Sequence, residues 1–301
     1  MMLKKFILLI SMLSLGVLIV NGCSDSSTKT EGSLSDQEFI LMDQIMSESM
    51  MEFNIEALRL SLNLTDSVGM MAEKPRPLFG LNKPNDDILT ISELSYQYDP
   101  DNYWHIFTIT ASVISSDFGE TDSLSVSGVD SIRFRNDGVL TRFPHEDSTD
   151  EVQSRVHFDM DAFGSLGETF SFMHHASFDI TGGQFELDIF ALDGATSDSV
   201  DVSFDDYEGL SCDIFLNANQ VFTEILFNGD LECPESGNVS AAAIVDIACS
   251  DSTESFTLDG TWTADYTFDG DSVSVVVESG NTRWTYSEAC DDSGDPYSVK
   301  R

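Results

Sequence analysis

Basic residues are scarce in this chain. Its 301 residues contain 14 lysines and arginines against 53 aspartates and glutamates, a formal net charge of -39. From Val156 to Thr282, a run of 127 residues, there is no lysine or arginine but there are 25 carboxylates. Such a surface repels phosphate, which excludes nucleic acid as a partner. Cysteine is also sparse, with five in all and none in a C-x-x-C pair, so no zinc knuckle is encoded. H-E-x-x-H, Walker A, G-x-G-x-x-G and G-x-S-x-G are all missing. Gly164-Ser165-Leu166-Gly167 has the wrong spacing for a nucleophile elbow. The apolar run from Phe6 to Val20 covers 15 residues, short of the ~20 that a membrane-crossing helix needs.

That run is nevertheless informative. Lys4 and Lys5 precede it, and Val20-Asn21-Gly22-Cys23 closes it with small residues before a thiol. The arrangement resembles the signal peptide and lipobox of a bacterial lipoprotein. The resemblance covers residues 1 to 23 and implies that residues 1–22 are a removed signal peptide and that Cys23 carries lipid. It also implies a place in the bacterial cell envelope, with Ser24 compatible with onward transport to the outer membrane. The membrane is then a partner through lipid alone. Residues 23–34, small and polar, read as a flexible tether.

Removal of residues 1–22 takes two lysines and no acid, moving the balance to 12 - 53 = -41. So large an excess repels itself. Salt relieves this as the Debye length falls from ~10 Å at 0.1 M to ~3 Å at 1 M, so a saline working environment is expected. With Cys23 assigned to lipid, Cys212, Cys233, Cys249 and Cys290 remain, an even set suited to two disulfides in an oxidising compartment. Three pairings are open.

Residues 35–301 read as a single β-rich domain with an N-terminal helix. Ser35-Asp36-Gln37-Glu38 spells a capping box, and Phe39, Met42, Met46, Met50 and Phe53 form one helical stripe, predicting a helix over about 35–53. Methionine thioethers can bind copper, but on one stripe they usually serve as adaptable core packing. Residues 55–64 alternate like a strand but also suit a helix. Prolines 75, 77 and 84 mark a connection. From about Thr90 to Cys290 the pattern is β, with alternation at His105–Ile114, Ser123–Phe134, Phe185–Ala191, Ser199–Phe204 and Ser272–Val277. Asn136-Asp137-Gly138, Gly182-Gly183, Asp193-Gly194, Asn228-Gly229, Ser236-Gly237, Asp259-Gly260, Asp269-Gly270 and Ser279-Gly280 read as hairpin turns. About a dozen antiparallel strands in a meander, forming a sandwich or (half-)barrel, are expected.

Chemistry-bearing residues form no catalytic set. His174 and His175 point to opposite faces of any regular strand and cannot share an ion. No cofactor is expected, although Asp269 and Asp271 belong to a turn that could gather calcium without meeting the EF-hand pattern. Alternation puts Trp262 with Tyr266, and Trp284 with Tyr286, on strand faces that bind sugars if exposed and form core if covered. Arg133 and Arg135 share the face opposite Ile132 and Phe134, suited to pairing with carboxylates. The sequence therefore predicts a lipid-anchored envelope protein acting as a non-catalytic binding or structural module. Two alternatives stand beside it: a carrier of apolar ligand in a helix-lidded β cavity, and a surface module for glycan or calcium.

Overall fold

The computed structural model describes residues 89–289, apart from short segments at 118–119, 146–147, 165–166, 185–188, 206–210, 229–233, 251–254 and 271. The expected helix over 35–53 and the stretch 55–64 lie outside the described residues, as do Cys23, Cys233, Cys290 and Asp271.

The described chain is all β. Its strands are β1 (Leu89–Asp99), β2 (Trp104–Asp117), β3 (Glu120–Asn136), β4 (Val139–Thr141), β5 (Thr149–Phe163) and β6 (Thr169–Gln184), then β7 (Ile189–Asp205), β8 (Ser211–Asn228), β9 (Ser236–Ser250), β10 (Ser255–Asp269), β11 (Ser272–Ser279) and β12 (Thr282–Ala289). All lie in one antiparallel sheet whose spatial order follows the sequence, with the short β4 paired to β3 off the main path. The sheet is open: no pairing joins β1 to β12 among the described residues. A sequential meander needs only hairpins, which is why turn chemistry recurs along the chain.

Alternation sets which side chains face inward. In β9, Val239, Ala241, Ala243, Val245, Ile247 and Cys249 are buried while their neighbours are exposed. The register carries this face across the sheet. One row runs Phe107, Asp130, Val156, Ala176, Thr196, Gln220, Ala241, Ala264, Val277 and Trp284, from β2 to β12. A one-residue slip would turn the whole row to the other side, so the hydrophobic pattern itself specifies register.

Not every glycine dipeptide makes a turn. Asn136-Asp137-Gly138 does, with φ of 51° at Asp137 and 75° at Gly138, the left-handed pair of a type I′ hairpin. Asp269-Gly270 and Ser279-Gly280 also connect strands. Asp193-Gly194, Ser236-Gly237 and Asp259-Gly260 instead lie within β7, β9 and β10, and Gly182-Gly183 lies within β6. The expected strands Phe185–Ala191 and Ser199–Phe204 are therefore parts of one 17-residue strand wherever they fall among the described residues.

Gly182, Gly194 and Gly237 serve contact and bulging. A Cβ on Gly194 would sit 2.5 Å from the Ser177 carbonyl oxygen and 2.8 Å from Phe178 Cδ1, and the β7–β8 register shifts beside it. At Gly237, φ is 121°, and a Cβ would meet the Glu224 carbonyl oxygen at 2.5 Å, opposite the irregularity in β8. Gly194→Ala should consequently destabilise the fold by about 1–3 kcal/mol through backbone displacement. Denaturant unfolding checks this, and an unchanged midpoint would mean that β6 and β7 separate freely there.

Candidate ligand groove

The inward face holds a buried polar group among its hydrocarbons. His174 Nδ1 lies 2.6 Å from Asp198 Oδ1, and the two residues oppose each other across β6 and β7. Thr196 and Gln220 are buried in the neighbouring row of the register. An aspartate-oriented histidine is half of a nucleophile-activating triad. Here both partners are buried, at 0% and 4% exposure, which suits a structural hydrogen bond that fixes strand pairing.

His105 plays a similar role at the β1–β2 end. Its Nε2 faces the Arg142 carbonyl and its Nδ1 the Tyr96 hydroxyl at 2.8 Å, so a neutral ring donates to one and accepts from the other. Burial lowers the His105 pKa most; the Arg142 charge adds to this, while the hydrogen bond to the Arg142 carbonyl opposes it. The unfolded imidazole takes up a proton near pH ~6.5. His105 therefore contributes stability above that pH, and the contribution is lost as pH falls through ~6.5 toward the lower folded value. Urea unfolding from pH 8 to pH 5 should show a steeper loss for the wild type than for His105→Phe. Identical slopes would contradict the assignment.

The outward face carries the recess that matters for binding. A groove of about 580 Å³ crosses β3 and β5–β8. Its middle is low because β6 and β7 present Ser177, Ala195 and Ser197, while β5 raises Arg155 and His157 on one side and β8 raises Asn219 and Val221 on the other. Three strand spacings make the trough about 14 Å wide. His175 stands within it, across from His157.

The wall at β5 is the most cationic place on the described chain. Its described residues include only five basic side chains, all arginine, and Arg133, Arg135, Arg142 and Arg155 fall on β3, β5 and the intervening connection. Arg133 and Arg155 both lie over the Trp104 ring, 4.5 and 4.8 Å from its centroid. Burial, followed by the charges of Arg155 and Arg135, lowers the Arg133 pKa. Arg133 donates to Gln153 Oε1, whose amide donates in turn to Asp179 at 2.7 Å. Arg135 pairs with Glu151 at 3.2 Å, as its place on the strand face suggests.

The other sequence-predicted residues fall elsewhere. Trp262, Tyr266 and Trp284 are buried on the inward face and Tyr286 packs against that core, so no outward sugar platform is built from them. Trp262 and Trp284 stack on each other, and Trp262 lies opposite Ala243 of β9. Asp269 is exposed at the end of β10. Among the described residues, no three His, Cys, Asp or Glu side chains converge to hold a metal ion. Asp99, in the β1–β2 turn, accepts from the Asp101 and Asn102 amides, which makes it a turn-former. Cys212 and Cys249 form a disulfide between directly opposed positions of β8 and β9.

No family model, curated protein or solved structure matches this chain.

Proposed function

We propose that this protein is a lipid-anchored, non-catalytic module of the bacterial envelope that holds a carbohydrate chain in the outward groove. The observation that carries the reading is the groove itself, a trough whose borders supply Arg155, His157 and Asn219 and whose floor supplies serine hydroxyls, hydrogen-bonding groups that suit sugar hydroxyls. Anchoring through Cys23 would hold the domain at the membrane, where it can meet a surface polymer. The apolar-carrier reading is less well supported: Phe134, Phe178, Phe190 and Trp284 are each at most 2% exposed, which describes a filled interior.

Two measurements test the proposal. Cys23→Ser should move the protein from the membrane fraction to the soluble fraction after a high-salt wash, and retention would refute lipid anchoring. Affinity electrophoresis through neutral and uronate-containing polysaccharides should retard the wild type in at least one, with retardation lost in Arg155→Ala. Unretarded migration in all of them would refute the carbohydrate reading.

A further inference from the structure

We infer that His157 and His175 form a bidentate copper(II) site in the groove. The two residues are directly opposed on β5 and β6, and their Nδ1 atoms lie 3.0 Å apart. An ion held at the usual ~2.0–2.1 Å from each imidazole nitrogen would see the pair at about a right angle. That angle is the cis angle of a tetragonal centre and is narrower than a tetrahedral ion prefers. Tetragonal nitrogen and oxygen sites favour copper(II) or nickel(II), and copper(II) binds the tighter of the two.

The surroundings prepare the site. His157 Nε2 lies 2.8 Å from Asp159 Oδ2. A ring N–H donated to that carboxylate leaves Nδ1 of His157 as the unprotonated nitrogen, and the carboxylate–histidine contact is the kind that orients metal-bound histidines. In the metal-free protein His175 then donates its Nδ1–H to His157. Copper binding displaces that proton, which His175 regains from solvent on Nε2, so both rings stay neutral and both Nδ1 atoms coordinate. The remaining equatorial positions belong to water. The pair is solvent-accessible and sits on a strongly acidic protein, which draws in a divalent cation. This inference does not rest on carbohydrate binding, although both readings use His157.

The test is titration of the full-length protein in detergent with copper(II) chloride, using glycine as a competing ligand to strip weakly held ions from surface carboxylates. One equivalent should bind, and its electron paramagnetic resonance spectrum should be tetragonal with two equatorial nitrogens. His175→Asn should reduce this to one nitrogen. Asp159→Asn should retain the two-nitrogen spectrum but bind about 10–100-fold more weakly. The assignment is overturned if no stoichiometric ion survives glycine, or if the His157→Asn/His175→Asn double variant, folded by circular dichroism, keeps the same spectrum.

Discussion

Trp262→Ala is expected to destabilise the protein by about 3–5 kcal/mol, the range for deleting a fully buried large aromatic. The indole is 0% exposed and stacks on Trp284, with ring centroids 5.8 Å apart and planes 17° from parallel. Its opposite on β9 is Ala243, which in turn faces Ala218 on β8. Ala241 and Ala264 lie in the adjacent row. These alanines make room for two indoles, and none of them is long enough to refill the space once one is removed. The sheet backbone cannot close the gap either, because strand spacing is fixed by the ladder. Loss of the stacked pair adds about 0.5–1.5 kcal/mol beyond area, so Trp262→Phe should cost clearly less than the alanine variant. Guanidinium unfolding with near-ultraviolet circular dichroism reads both. A loss under about 1 kcal/mol for the alanine variant would mean that the ring fills removable space, and would revive the reading of an interior built for ligand.

How much of this was legible in the sequence depended on whether alternation alone could answer the question. Period-two patterning and β-branched residues gave the fold class and the number of strands. Strand lengths were harder to read, because Asp193-Gly194 and Asp259-Gly260 have the composition of turns and lie inside strands. At Gly194 the glycine permits close approach to Phe178 and the Ser177 carbonyl, and composition cannot separate that use from a hairpin. Alternation likewise groups Trp262 with Tyr266 but does not say which sheet face is covered. That depends on the rows to either side, hence on register.

The groove shows the same limit. That Arg133 and Arg135 share a face follows from their spacing, and so does the opposition of His174 and His175. The pairing of His157 with His175 needs the β5–β6 hairpin. His157 lies six residues before Phe163 and His175 six after Thr169, the pair that closes that hairpin. Gly164 and Gly167 frame the turn, with the Gly167 amide donating to the Gly164 carbonyl at 3.1 Å. Those glycines signal a turn, but counting outward from Gly164 and Gly167 would pair His157 with His174, and only the observed Phe163–Thr169 register brings His157 to His175. The low middle of the trough was less accessible, because it depends on short side chains of two strands falling in line between the taller residues of a third and a fourth.

Removing the Cys212–Cys249 bridge should cost about 3–4 kcal/mol, the loop-closure value for cysteines 37 positions apart. The two half-cystines are buried and directly opposed, with Cα atoms 4.1 Å apart. They close the ladder at one end of the β8–β9 pair, whereas Glu224 and Gly237 interrupt it near the other. The crosslink thus ties down register in the middle of a twelve-stranded sheet, where a slip would expose Leu216, Ala218 and Phe222 together. Cys212→Ala/Cys249→Ala is the suitable variant, since alanine leaves no polar atom in the core. Its unfolding midpoint should fall well below that of the oxidised wild type. Reductant should also lower the wild-type midpoint, at least to that of the double variant. Any further shift on reducing the double variant would report a second bridge. A double variant as stable as the oxidised wild type would show that hydrogen-bonded register and packed side chains alone hold the centre of the sheet.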